Sequence, residues 1–145
     1  MAQLSPSLNF DGNAEEAFNF YRSVFGGEFN SLMRWKDNPQ CSDWNESARN
    51  LIMHVSLSVG DGHVLMGSDT PSSFGQTITN GNNFAIAIAP DSREEADRLF
   101  KGLSEGGHAE MPMQDMFWGA YFGALQDKFG IRWMINFGTG SEPPA

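Results

Sequence analysis

The side chains with the clearest chemical potential lie on short runs in which apolar and polar residues alternate. In residues 53–59, His54 and Ser56 fall on the polar side, and the apolar side is expected to pack against a helix. We therefore expect both on the face of the sheet opposite the helix. An imidazole titrates near neutral pH and can act as a general base, but no carboxylate lies near His54 in sequence to orient it. His54 could therefore be either a catalytic base or a side chain that contacts a ligand.

The same alternation in residues 131–137 predicts that Arg132 and Met134 share the face opposite an apolar, helix-packed set. Arg132 could clamp a ligand carboxylate or phosphate, and a structural salt bridge is the alternative. Met66, on the predicted strand 63–67, is expected to line the same surface.

Aromatic residues offer a second kind of contact. Phe117 and Trp118, together with Tyr121, could stack on a planar ligand, or they could pack in the core or a dimer interface. Glu110 is either a carboxylate that contacts the ligand or a surface residue. A surface of this partly polar kind suits an uncharged or anionic small molecule. The candidate ligand-binding residues are His54, Ser56, Met66, Trp118, Tyr121, Arg132 and Met134.

Two helices of the same design are predicted to position these strands. After Asn13 and after Ser92 a glutamate follows three positions later, which is the capping-box arrangement. Apolar residues then recur at intervals of three and four and line one helical face. The helices are predicted to stop at the glycine pairs that begin at Gly26 and Gly106, because glycine permits a left-handed C-cap.

Each helix follows one strand-like run and precedes three others, so the order is βαβββ, twice. The predicted strands are residues 4–10, 29–35, 51–59, 63–67, 84–89, 109–114, 118–125 and 131–137. The sequence thus predicts a single α+β domain with modules at about 3–68 and 83–137, joined by a linker at about 69–82. Residues 36–50 are predicted to form a polar loop, and residues 138–145 a flexible tail.

Composition excludes several classes of function. The net charge of −9 opposes binding to nucleic acid, and no cluster of basic residues breaks the pattern locally. The single cysteine, Cys41, cannot form a disulfide within the chain. The sequence begins without the features of a signal peptide, and no apolar stretch is long enough to span a membrane. These observations predict a cytoplasmic protein with no membrane partner.

Several segments together carry a family resemblance. They are residues 8–17, 20–21, 25–27, 53–55, 65–69, 118–119 and 127–133. In this order and spacing they resemble the PhnB-like branch of the glyoxalase/bleomycin-resistance/dioxygenase, or vicinal oxygen chelate, superfamily. The resemblance implies two βαβββ modules that form a curved mixed sheet around a cup, and a homodimer. Some relatives carry a demethylubiquinone methyltransferase-like label, but this sequence has no glycine-rich turn of the kind that binds a nucleotide-like cofactor.

The resemblance also allows a comparison of metal ligands. Metal-dependent members hold a divalent ion with side chains from both modules, and the ion polarises substrate oxygens. The ligand positions on the last strand of each module fall here on Met66 and Met134, and a thioether is a poor ligand for Mg, Mn, Ni or Zn. Residues 3–7 and 82–84, on the opening strands, supply no histidine or glutamate. We therefore expect neither a metal nor another cofactor.

The preferred hypothesis is a homodimer that binds an unidentified small molecule without a metal. One alternative is a metal-dependent isomerase, lyase or dioxygenase with an unconventional metal site around His54. The other is a dimeric scaffold whose cup is vestigial, because a fold alone does not determine function.

Overall fold

A computed structural model describes residues 2–60 and 62–138, so most of the predicted tail (139–145) lies outside the described residues. The helices are α1 (Ala14–Phe25), α2 (Glu46–Arg49) and α3 (Arg93–Ser104). The strands are β1 (Ser7–Phe10), β2 (Phe29–Arg34), β3 (Ile52–Ser58), β4 (Val64–Asp69), β5 (Ile86–Ile88), β6 (His108–Asp115), β7 (Tyr121–Gln126) and β8 (Arg132–Phe137). No helix in this part of the chain is long and apolar enough to cross a membrane.

The chain divides into two compact units, of which the first ends at Thr79 and the second begins at Asn80. Each unit has the predicted order βαβββ, with the short helix α2 added between β2 and β3 of the first. The predicted α+β class with two repeated modules is therefore confirmed.

The first unit contains a sheet in the order β1-β4-β3-β2. β1 runs parallel to β4, and the other neighbouring strands are antiparallel. One face of this sheet is covered by α1, whose apolar side is buried. Gly67 on β4 permits close packing of the helix, because a Cβ atom there would lie 2.4 Å from the ring of Phe18.

The two ends of α1 are fixed by different groups. Gly26 ends the helix with a φ of 76°, as predicted, and its N–H donates to the Arg22 carbonyl at 2.8 Å. The side chain of Asn13 makes no capping hydrogen bond. The carboxylate of Asp69 instead accepts from the Ala14 N–H at 2.9 Å. The prediction of a capping box at α1 is therefore wrong, because a buried carboxylate from β4 takes the place of the cap.

The second unit repeats the plan in the order β5-β8-β7-β6, with β5 parallel to β8. Helix α3 buries Ala96, Leu99 and Leu103 on one side. Trp133 and Ile135 on β8 are also buried, and α3 packs against this strand and its neighbour β7. The apolar alternation predicted for β8 is thus confirmed at these two residues.

The capping box predicted for α3 forms only in part, because the Glu95 side chain reaches the Asp91 N–H and not the N–H of the N-cap residue Ser92. Ser92 Oγ accepts from the Glu95 N–H at 3.0 Å, and the Glu95 carboxylate accepts from the Asp91 N–H at 2.7 Å. The helix ends at Ser104, slightly earlier than predicted, because Glu105 is already extended.

The predicted loop at residues 36–50 contains more regular structure than expected. It includes α2 and two short 3-10 turns, Trp35–Asp37 and Pro39–Cys41. Trp35, Trp44 and Phe74 pack against one another with ring centroids 4.9–5.8 Å apart. This aromatic contact explains why a segment with so polar a sequence is ordered.

Candidate functional site

Each sheet has one face covered by its own helix, and the side chains on the other face form what we call a helix-free face. Along β3 and β4 of the first sheet, residues on this face alternate with residues that point toward α1 and are buried, namely Val55, Leu57 and Leu65. The first helix-free face consists of Ser7, Asn9, Ser31, Met33, His54, Ser56, Ser58, Val64, Met66 and Ser68. Histidine is the one titratable type among these residues, and none of them is an acid, a lysine or an arginine.

The middle row of this face combines hydroxyls with one thioether. Ser7 and Ser56 are the register partners of Met66 on its two sides, and Ser31 is the partner of Ser56. The Oγ atoms of Ser31 and Ser56 lie 3.4 Å apart. Ser56 is only 7% exposed, so its hydroxyl is largely committed to this contact. The structure therefore brings Ser56 and Met66, two of the predicted site residues, next to each other.

The next row contains His54, which is half-buried and faces Met33 across the strand pair. At the other end of the same row, Ser68 donates to Asn9 Oδ1 at 3.1 Å. The imidazole of His54 makes no hydrogen bond or ion pair to any described residue. A polar side chain that is half-buried and has no partner among the described residues is available to a ligand.

One detail of β3 differs from simple alternation. Met33 pairs with His54 and Arg34 pairs with Ile52, so Met53 is an extra residue in the ladder. Alternation in residues 53–59 predicts Met53 on the side that packs against the helix. Ile52, which is 1% exposed, takes that core position instead, and Met53 is half-buried. The prediction for Met53 is therefore wrong, while His54 and Ser56 lie on the face opposite α1.

The middle row of the second helix-free face is apolar. Met134 is flanked by Ala87 on β5 and Ala124 on β7, and Met111 on β6 is the register partner of Ala124. These positions correspond to the serines around Met66 in the first unit. The two halves of the repeat have thus acquired different chemistry at equivalent positions.

At one end of the second face, Arg132 is held by three hydrogen bonds. Its Nε and Nη2 donate to Glu110 Oε1 at 3.1 and 2.9 Å, and its Nη1 donates to the Asn82 carbonyl at 2.7 Å. The structure therefore supports the salt-bridge alternative for Arg132, with Glu110 as the partner.

Trp118 lies in the turn between β6 and β7, not on the strand predicted for residues 118–125. Gly119 has a φ of 98°, which allows the chain to turn there. The indole ring contacts Phe122 on the second helix-free face, with centroids 6.4 Å apart, and Phe117, which is 88% exposed. The indole Nε1 is buried and has no hydrogen-bond partner among the described residues.

Tyr121, a candidate for stacking on a ligand, lies on the opposite face of its sheet from Met134. It is the register partner of Phe137, one residue out of phase with the helix-free set. Its hydroxyl donates to Asp97 on α3, and the Arg93 guanidinium lies 3.9 Å from its ring centroid. The hydrogen bond to Asp97 raises the pKa of the Tyr121 hydroxyl. This tyrosine therefore joins α3 to its sheet and does not line the helix-free face.

The donor atoms present do not fit the divalent metal site of the metal-dependent relatives. Met66 is flanked by serine hydroxyls and Met134 by alanines, so neither position has a carboxylate or imidazole neighbour in its row. Across residues 2–60 and 62–138, no three or more His, Cys, Asp or Glu side chains are grouped closely enough to hold a metal ion. Hard divalent ions prefer such oxygen and nitrogen ligands.

Comparison with known proteins agrees with this architecture. Residues 2–136 match the family model described as 3-demethylubiquinone-9 3-methyltransferase. The chain belongs to this family. Protein YjdN of Escherichia coli strain K12 is 31% identical over 143 residues, which covers 92% of this chain and 93% of YjdN.

Solved structures of similar proteins share the fold of this chain. Protein PA1353 from Pseudomonas aeruginosa is 37% identical, with a TM-score of 0.82 over 95% of this chain and 98% of that one. A putative 3-demethylubiquinone-9 3-methyltransferase, the PhnB protein from Bacillus cereus, is 27% identical, with a TM-score of 0.73 over 94% and 100%. A glyoxylase/bleomycin resistance protein/dioxygenase domain from Frankia sp. EAN1pec shares the fold at 12% identity, with a TM-score of 0.66 over 96% and 99%.

Proposed function

We propose that this chain binds a small molecule without a metal, and that the ligand contacts the first helix-free face beside His54. The observation that carries the proposal is the half-buried imidazole, which has no partner among the described residues. Neighbouring polar groups are already paired, as in the contact of Ser58 Oγ with Asn30 Oδ1 at 2.8 Å. A ligand that hydrogen-bonds to His54 would satisfy the group that the fold leaves available.

Binding is favoured over catalysis by the surroundings of His54. A general base is usually oriented by a second polar group, commonly a carboxylate. His54 makes no hydrogen bond to a carboxylate in the described part of the chain, and Asp69 and Arg34, the charged residues on the neighbouring strands, contact the helix side. The absence of grouped metal ligands among the described residues also counts against Lewis-acid catalysis.

The methyltransferase named in the family description has no added support from the sequence, which has no glycine-rich strand-to-helix turn of the kind that binds a nucleotide-like cofactor. We therefore prefer a binding function to transfer of a methyl group from a nucleotide-like cofactor.

A fragment screen on protein treated with a chelator tests the proposal. The methionine methyl groups are labelled with ¹³C, and fragments that shift the Met66 signal are titrated. His54→Ala should weaken their binding by about three- to tenfold, as expected for one lost hydrogen bond. His63→Ala, which removes an exposed histidine outside the strands, is the matched control and should not change the affinity. Equal affinities of the His54→Ala variant and the wild type would contradict the proposal.

A further inference from the structure

We infer that the ligand is an uncharged molecule with hydroxyl, carbonyl or amide groups, and not an anion. This inference rests on the proposed function and concerns the chemical class of the ligand. It follows from the distribution of charge on the two helix-free faces, each considered by itself.

The first helix-free face carries no lysine, arginine or acid that could pair with an ion. Its side chains are serine, asparagine, methionine, valine and His54. The charged residues on this sheet project to the other side, where Arg34 pairs with Glu15 and Asp69 caps α1. A charged group loses its hydration when it binds such a face, and no lysine, arginine or acid lies there to form an ion pair with it. An uncharged group that donates or accepts hydrogen bonds meets no such penalty.

The second helix-free face carries one arginine, but its charge is already neutralised. Three donors of Arg132 are occupied by Glu110 Oε1 and the Asn82 carbonyl. The side chains of Arg132 and Glu110 are 25% and 32% exposed, so both are partly removed from water. An anionic ligand would have to displace Glu110 and leave that carboxylate without its partner, which costs the energy of an unpaired, partly buried charge.

The overall charge of the protein makes this neutrality informative. The chain has a net charge of −9, with 18 acidic residues against 9 basic ones. The described helix-free faces nevertheless carry one opposite pair, Arg132 and Glu110, and no other acid, lysine or arginine. The excess negative charge is thus located elsewhere and further disfavours the approach of an anion.

Matched pairs of small aromatic compounds test the inference. Benzamide and benzoate, and nicotinamide and nicotinate, differ in charge but little in shape. Each is titrated into the full-length protein with ¹³C-labelled methionine methyl groups, and Met66→Leu and Met134→Leu assign the two signals. We expect each amide to bind at least about tenfold more tightly than its carboxylate, which corresponds to one unfavourable buried charge. Tighter binding of the carboxylates would overturn this inference and leave the proposed function standing. Binding by no member of either pair would count against both.

A variant that restores the charge of Arg132 gives an independent test. Glu110→Gln removes the carboxylate that neutralises the guanidinium, and nicotinate affinity measured at Met134 should then rise by about tenfold. Glu105→Gln makes the same change in net charge at an exposed position after α3 and is the matched control, with no expected effect. An unchanged nicotinate affinity in Glu110→Gln, or equal gains in both variants, would refute the role of the Arg132–Glu110 pair.

Discussion

Replacing Asp69 with asparagine should destabilise the first unit without changing the size of the side chain. Asp69 is 1% exposed, and its two carboxylate oxygens accept from the Ala14 N–H at 2.9 Å and the Ile52 N–H at 2.8 Å. It therefore joins β4 to the start of α1 and the start of β3. An asparagine keeps one acceptor and presents an amide N–H to the other backbone N–H.

Two opposing effects set the magnitude. A buried N–H without an acceptor costs about 1–3 kcal/mol. Burial also raises the pKa of the Asp69 carboxyl, partly offset by the backbone N–H groups that donate to it, so removing its charge recovers some desolvation energy. We expect the first effect to dominate and the free energy of unfolding to fall by about 1–2 kcal/mol. This is a large fraction of the roughly 5–15 kcal/mol that is typical of a domain.

Urea unfolding followed by tryptophan fluorescence measures this difference. Asp43→Asn, at an exposed position in the same unit, makes the same chemical change and should leave stability within about 0.5 kcal/mol of the wild type. If Asp69→Asn were as stable as that control, the reasoning that the carboxylate holds three elements together would be refuted.

Four further predictions follow from the same structure. Gly67→Ala should lower the free energy of unfolding by about 1–3 kcal/mol, because the new Cβ would lie 2.4 Å from the Phe18 ring. A thermal unfolding midpoint equal to that of the wild type would contradict this prediction. The guanidinium of Arg34 holds the pKa of the Glu15 carboxyl below its ordinary value. The ion pair therefore stabilises the folded state fully above about pH 4.3, and this stabilisation is lost as the pH falls through the lowered pKa. Arg34→Gln should lower the free energy of unfolding by about 0.2–1 kcal/mol near neutral pH and change it little in acid, as measured by urea unfolding at several pH values. His54→Ala should leave the melting temperature nearly unchanged, because the imidazole has no partner among the described residues, and a large loss would make His54 a structural residue. Light scattering should give twice 16.0 kDa if the homodimer expected from the resemblance forms, and a mass of 16.0 kDa would exclude it.

Much of the fold could be predicted because local pattern and tertiary structure agree. The period of apolar residues in α1 and α3 and the alternation in β8 each specify a buried face, and the structure buries those faces. The left-handed glycine at Gly26 likewise needs no tertiary partner to be recognised.

The errors occur where a distant residue decides the outcome. Asp69 was assigned to the linker, since sequence does not reveal that its carboxylate meets α1 from across the sheet. Asp127 behaves similarly, because it accepts from the indole Nε1 of Trp133 at 2.8 Å within the core. The sequence feature that could have indicated both buried carboxylates is an aspartate just after a strand-like run, but aspartate is equally common at such positions in exposed turns.

Two of the predicted site residues, Trp118 and Tyr121, lie elsewhere than predicted for a related reason. A shift of one residue in a strand moves a side chain to the other face. The strand predicted at residues 118–125 begins only at Tyr121, which faces α3, and the bulge in β3 exchanges Met53 for Ile52. Neither the turn nor the bulge can be located by alternation alone.

The central claim is that the protein binds its ligand without a metal, and the most direct test is the dissociation constant of the tightest fragment at Met66. It is measured by methyl NMR on wild-type protein after chelator treatment and again after addition of Mn, Ni or Zn. The account predicts the same dissociation constant in every sample. Binding that is lost on chelation and restored by one equivalent of metal would contradict it and would favour the metal-dependent alternative.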